Sequence, residues 1–173
     1  MTRMTSRPEG DAWSGRIGDL YDRLGKGLYR YALMILADPA GAADAVQQVF
    51  VALLGHRGAE IESEAGYLRR AVRNECFSAL RRRRRDFVAD QKPALLEAVV
   101  PCGVGPEQRM ALEQAIRELP AEQREVLHLK VYEGLTLQEI ADQVDESINT
   151  VASRYRYAIE KLRDKLVPRQ ARM

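Results

Sequence analysis

Cysteine is scarce in this sequence. Cys76 and Cys102 are the only two among 173 residues, and neither stands in a CxxC or Cys/His spacing. That spacing offers neither a disulfide framework nor a structural zinc site, and both thiols read as buried or incidental. Histidine is equally sparse: His56 and His128 are isolated and form no catalytic dyad. The short "GKG" at Gly25 to Gly27 lacks the pattern of a phosphate-binding loop. The longest apolar run, "YALMIL", is far too short to span a bilayer. The opening "MTRMTSRPEGDAW" has no apolar stretch of the kind a signal peptide needs. No alternating run of β-branched residues suggests a strand. These absences lead to an expectation of a cytoplasmic protein that is not an enzyme. It should have no metal, no cofactor, no membrane insertion and no small-molecule substrate.

What is present is helical and charged. Hydrophobic content is 46%, enough for real cores in one domain or two small ones. The net charge of +2 is unevenly placed: Arg69 to Arg85 holds eight arginines against one acid, a local +7, which leaves −5 elsewhere. Such a balance describes a solvated protein with one deliberately basic surface. Leu20, Leu24, Leu28 and Ile35 mark a first helix, weakened in its middle by Gly25 and Gly27. Asp38-Pro39 is an N-cap and N1 pair for a second helix, whose stripe is Ala42, Val46, Val49, Phe50 and Leu53. A polar loop follows, and a third helix begins near Glu64. The stretch from Asp86 to Pro106 has no sustained period and reads as a linker with one short helical turn at most. Helical periodicity returns at Pro106, Pro120 suits the first turn of the next helix, and Gly134 stops it. The expected fold is all-α: two small helical domains, 14–86 and 106–167, joined by a flexible linker over 87–105.

Two segments carry chemistry. In "YLRRAVRNECFSALRRRRRDF", Ala65, Leu68, Val72, Cys76 and Ala79 share one helical face. Arg70, Arg73, Asn74, Phe77, Arg81 and Arg84 lie opposite. Guanidinium groups pair with phosphates, an amide reads a base edge, and a ring stacks on an unpaired base or packs on a neighbouring helix. Alone, such a helix binds nucleic acid about half the time; an anionic membrane is another use, and a solvated face whose C-terminal arginines suit the helix dipole is the plainer alternative. The second segment is "EGLTLQEIADQVDESINTVASRYRYAIEKLRDKL". Thr136 and Glu139 make a capping box, Ile140, Ala141 and Val144 an inner face, and Ser147 a second cap. Ile148, Val151, Tyr155 and Leu162 give the longer helix its buried side. Short helix, tight turn and longer helix match a helix-turn-helix, with a packing hairpin as the plainer alternative. Charge is sorted as well: Glu133 to Glu146 has five acids and no base, whereas Ser147 to Lys165 has five bases and two acids. Asn149, Thr150, Ser153, Arg154 and Arg156 could therefore reach bases or phosphates in a major groove.

Together the segments resemble the sigma-70 family, specifically its small two-domain extracytoplasmic-function (group 4) sigma factors, over roughly Asp19 to Leu166. "ADAVQQVFVALL" is similar to region 2.2, the arginine helix to regions 2.3 and 2.4, and the segment from Leu119 to Leu166 to region 4. The resemblance implies docking on the β′ clamp helices of core RNA polymerase through Asp44 and Gln47, with Gln48 beside them. It implies −10 promoter contacts from Arg70, Arg73, Asn74, Arg81 and Arg84, and capture of a flipped-out base by the loop at about Gly55 to Glu64. It implies −35 recognition by Asn149, Thr150, Ser153, Arg154 and Arg156, with the two arginines foremost. Promoter phosphate would then be the arginine helix's partner. Many relatives are held by an anti-sigma factor, though no residue here identifies one. The sequence departs from the family pattern at Ala43 and Gln48, where acids are frequent, and at Ser78, where an aspartate is common. It departs again at Asp145, the usual turn glycine, and at Ala152, where a lysine would touch phosphate. A stand-alone helix-turn-helix regulator is the competing reading, and an RNA-binding protein a third.

Overall fold

The computed structural model describes residues 8–55, 63–86 and 105–166, with side chains for all of these but 8–11 and 84–86. The linker expected over 87–105 lies almost wholly outside the described residues, as do Cys102, His56 and most of the loop expected to capture a base. Seven helices and no strand occur among the described residues: α1 (Pro8–Leu36), α2 (Pro39–Gly55), α3 (Glu64–Asp86), α4 (Pro106–Arg117), α5 (Ala121–Val131), α6 (Leu137–Val144) and α7 (Ile148–Leu166). The fold is all-α, as the periodicity implies. No helix among the described residues is long and apolar enough to cross a membrane.

Helix α1 runs 29 residues without a break at Gly25 or Gly27. Each glycine costs about 1 kcal/mol relative to alanine, but burial of Ile17, Leu20, Leu28 and all of Tyr31 to Leu36 outweighs that local cost. The helix ends at Ala37, which turns left-handed (φ 52°). Asp38 then caps α2, its Oδ1 accepting the Ala40 N–H at 3.1 Å. Ala42, Ala45, Val46, Phe50 and Leu53 bury one side of α2. From α3, Leu68, Val72 and Cys76 are wholly enclosed, on the face the periodicity assigned to the core. Burial raises the Cys76 thiol to about 12, so it stays protonated and inert at neutral pH.

The C-terminal helices follow local rules with two corrections. Pro120 is the N-cap of α5 rather than its first helical residue, so the helix begins at Ala121. Gly134 turns left-handed at φ 72° after α5, as a stop glycine should. The capping box forms in full: Glu139 N–H donates to the Thr136 hydroxyl at 3.2 Å, and Thr136 N–H to the Glu139 carboxylate at 2.7 Å. Asp145 closes α6 in the left-handed conformation (φ 56°), at a residue where glycine would be unstrained. Ser147 caps α7 through the Thr150 N–H at 3.1 Å. Ile148 does not join the buried side of α7. It stands at the first helical position, where the chain is only leaving the turn, and remains 43% exposed. Val151, Ala158 and Leu162 supply the buried side instead, with Tyr155 partly buried against the core.

The two halves are packed on one another. Val126 and Leu129 of α5 and Ile140, Ala141, Val144 and Val151 beyond it join the core built by α1, α2 and α3. Met34 of α1 in turn enters the cluster of α4, α5 and α7. A pair of beads on a string does not describe this arrangement.

Candidate nucleic-acid and polymerase interface

Three surfaces hold the candidate residues. The first is α2, where Asp44, Gln47 and Gln48 are all exposed. Gln47 lines an open groove of about 810 Å³ between α1 and α2, floored by Val46 and Phe50 and rimmed by Val51 and Leu54. Val51 is 60% exposed, so an apolar ridge stands next to amides and one carboxylate. That mixture suits a protein partner better than a nucleic acid.

The second surface is the outer face of α3. Among the described residues, its arginines already have partners within the chain. Arg69 pairs with Glu133 at 3.0 Å, and Arg73 Nε donates to Glu125 Oε1 at 2.7 Å. Arg70 donates to the Asp142 carbonyl at 3.1 Å. Further along, Arg81 reaches the Ser78 hydroxyl, Arg82 pairs with Glu75 and Arg83 with Asp38. In the free chain these arginines are paired with its own acids, a hydroxyl and a carbonyl. The Arg73 guanidinium also lies over the Phe77 ring at 4.8 Å, and Phe77 packs against the core. Asn74 stays exposed, and the Arg84 side chain lies outside the described residues.

The third surface is α7. Asn149, Ser153 and Arg156 fall on the side opposite Val151, Ala158 and Leu162 at about 100° per residue, and Arg156 is exposed with its guanidinium 5.1 Å from the Tyr157 ring. Thr150 is engaged in the cap, its hydroxyl 2.9 Å from that of Ser147. Arg154 points elsewhere. It pairs with Glu146 at 2.8 Å and lines a polar cleft of about 310 Å³ with Arg73, Asn74, Phe77, Arg81 and Glu122. One residue expected at the −35 surface thus shares a cleft with three expected at the −10 surface.

Sequence reasoning missed the residues that hold the halves together. Arg124, Glu125 and His128 of α5 are buried. Arg124 reaches across to the last turn of α1, donating to the Met34 and Ile35 carbonyls at 2.6 Å each. It also donates to the carbonyls of Leu119 and Arg117 at the end of α4. Burial lowers its pKa to about 10, which leaves it charged at neutral pH. Glu125 is fully enclosed, accepting Tyr31 Oη–H at 2.5 Å as well as Arg73. Burial raises its pKa, opposed chiefly by the Arg73 charge. Burial, then the Glu125 charge, drives the Tyr31 phenol well above its usual value. His128 stacks on Tyr132 at 5.1 Å and approaches Glu133 at 3.5 Å. The nearby His128 ring, then the Arg69 charge, holds Glu133 below the usual carboxylate range, against a penalty for its burial. Three ionisable residues inside one apolar-spaced helix were the available signal. Among the described residues, no three metal-ligating side chains come together.

Comparisons with known proteins agree with both halves. Residues 20–86 match the model of Sigma-70 region 2, and residues 109–162 that of Sigma-70, region 4. The chain is 30% identical over 150 residues to the ECF RNA polymerase sigma factor SigL of Mycobacterium tuberculosis, covering 83% of this chain and 85% of that one. It is 23% identical over 156 residues to SigK of Mycobacterium bovis, covering 84% and 83%. Among solved structures, the sigma factor RpoE from Bartonella quintana, in complex with the anti-sigma factor NepR, shares the fold with a TM-score of 0.66 at 24% identity. That match covers 87% of this chain and 99% of that one.

Proposed function

The chain belongs to the sigma-70 family, among its extracytoplasmic-function sigma factors, and from that premise we propose how its residues divide the work of promoter recognition. As a sigma factor the protein binds core RNA polymerase and directs promoter-specific initiation of transcription. The observation that carries this is the match to both regions, in order, along one relative covered for 85% of its length. A stand-alone regulator would leave the region 2 match and the exposed α2 surface without a task.

Our assignment gives Asp44, Gln47 and Gln48 to the β′ clamp helices of polymerase, with the α1–α2 groove and its apolar rim beside them. Arg70, Arg73, Asn74, Arg81 and Arg84 contact the −10 element. Unpairing that element costs stacking and pairing energy, and neutralising phosphates while capturing an exposed base offsets the cost. Asn149, Ser153 and Arg156 read the −35 element from the outward side of α7. Thr150 and Arg154 stand beside them, the first committed to the cap and the second to the cleft. Residues 14–86 and 106–167 act as separate domains on the promoter, tethered by 87–105. An anti-sigma factor is a fitting further partner, supported by the complex in which the Bartonella protein was solved.

In vitro transcription with core polymerase on genomic DNA from the source organism, mapping 5′ ends, tests this reading. New starts sharing spaced −10 and −35 elements are expected only when the protein is added. DNA binding by the protein alone, with no new starts, would instead favour a stand-alone regulator. Asp44→Ala should weaken affinity for core polymerase by about tenfold, read by competition against a labelled sigma factor, with an unchanged circular dichroism melt. Wild-type affinity would move the docking surface away from α2.

A further inference from the structure

Three side chains of α1 and the first residue of α3 have no place in the docking or DNA-reading sets, yet they meet in one location. Trp13 packs partly buried against the core and donates its indole N–H to the Leu53 carbonyl at 3.4 Å. That carbonyl belongs to the last turn of α2, which cannot satisfy its own acceptors. The Arg16 guanidinium lies over the Trp13 ring, 5.8 Å from its centroid. It also donates to Glu64 Oε1 at 2.8 Å, while Arg23 donates to Glu64 Oε2 at 2.9 Å. Arg16 and Arg23 are two turns apart and project from the same side of α1, so one carboxylate takes both. Glu64 opens α3, next to Ser63, whose hydroxyl accepts the Gly66 N–H at 3.3 Å. A run of contacts from Leu53 through Trp13 and Arg16 to Glu64 therefore ties the last turn of α2 to the first turn of α3. These are the two ends of the segment between Gly55 and Ser63.

We propose that Trp13, Arg16, Arg23 and Glu64 are positioning residues for base capture at the −10 element, bracing both ends of the capturing segment on α1. The proposal rests on the assignment of the segment between α2 and α3 to base capture. Two features favour positioning over simple adhesion. Helices α1 and α3 already share a core containing Leu20, Leu28, Leu68, Val72 and Cys76. Ion pairs at the surface add little to such a core, and Arg16 and Arg23 have side chains 51% and 63% exposed. The second feature is placement, since the contacts hold the point where the chain leaves α2 and the point where it enters α3. Fixing both ends of a short connection lowers the ordering cost that a captured ligand must otherwise meet.

The charges involved give a clean test. Glu64→Ala removes an acid beside the DNA-reading helix, whereas Arg16→Ala with Arg23→Ala removes two bases. Simple electrostatics predicts tighter DNA binding for the first and weaker binding for the second. Positioning predicts that both lose the same discrimination. Holoenzyme is titrated with fluorescent non-template −10 oligonucleotides from a promoter mapped by transcription, intact and with each position made abasic in turn. At the most sensitive position, the ratio of the two affinities reads base capture, and affinity for the abasic strand reads phosphate contact. Both variants should lower that ratio by about three- to tenfold, while their affinities for the abasic strand move in opposite directions. Trp13→Phe, which keeps a ring and changes no charge, should lower the ratio by less. A wild-type ratio in both charge variants, with all affinities simply following charge, would overturn the proposal. If either fails to fold, a wild-type ratio in Trp13→Phe and Glu64→Gln overturns it equally. A wild-type holoenzyme that loses nothing at any abasic position removes the base-capture assignment, and the proposal with it. Discrimination that is present in the wild type and survives in every variant removes the proposal alone.

Discussion

Arg124→Ala will lower the stability of the native chain by about 3–5 kcal/mol, a large fraction of what a protein of this size possesses. The reason is positional. The last four carbonyls of a helix have no partner within it, and at the end of α1 two of these point into protein rather than water. Arg124 supplies both, donating to Met34 and Ile35 at 2.6 Å, and turns another nitrogen to the Leu119 and Arg117 carbonyls at the end of α4. One planar fork therefore terminates two helices that come from different halves of the chain. Removing it leaves buried acceptors unsatisfied at about 1–3 kcal/mol each, with some relief where water can enter. Arg124→Lys should recover part of the loss at most, because a point charge on a flexible stem cannot span two helix ends. Urea denaturation followed by circular dichroism checks this: the midpoint should fall in the order wild type, Arg124→Lys, Arg124→Ala. A loss below about 0.5 kcal/mol for the alanine variant would mean that the carbonyls find water as readily as they find the guanidinium.

That same arginine marks the boundary of what the sequence makes legible. Helix ends were readable because their causes are local. Asp38 before Pro39, Thr136 with Glu139 and Ser147 before the last helix each satisfy backbone donors within three residues. The inner face of α3 was readable because Leu68, Val72 and Cys76 recur at helical spacing. Packing of the halves was not readable, because its determinants disguise themselves. In "AEQREVLHLK" the letters Arg124, Glu125 and His128 look like a solvated stripe, yet all three are buried, since partners for Arg124 and Glu125 come from 52 to 94 residues away along the chain and those of His128 from the following turn. Helix α1 was underestimated for the same reason. Gly25 and Gly27 argue against a helix locally, and only burial of the surrounding side chains overrules them. Ile148 fails in the opposite direction: its spacing fits the buried side, but nothing covers the first residue after a turn.

The cleft shared by Arg73 and Arg154 also changes how the recognition helix should be read. The resemblance offers Arg154 and Arg156 alike as foremost candidates for the −35 element. Two residues apart on a helix, they project in directions about 200° apart. The buried side of α7, Val151, Ala158 and Leu162, fixes which side is outward, and Arg156 lies there with Asn149 and Ser153. Arg154 lies toward the cleft and is held by Glu146.

Arg156→Ala should therefore weaken −35 binding by the holoenzyme by about 1–3 kcal/mol, the range for losing a bidentate base contact, and relax specificity at one position. Arg154→Ala should cost the holoenzyme less. In the free chain the two variants should differ in kind. Arg156→Ala removes a DNA contact and leaves the halves as they are. Arg154→Ala removes a member of the cleft and leaves the outward side intact. Holoenzyme binding to −35 variants of a mapped promoter measures the first pair of effects, and scattering by the free chains measures the second. Equal losses in the holoenzyme would mean that α7 rotates on DNA or that both arginines contact phosphate. A larger loss for Arg154 would mean that its outward turn, freed from Glu146, is what reads the element. The ordering expected here follows from a geometric constraint: a helix with one side committed to the core has only the opposite side to offer a groove.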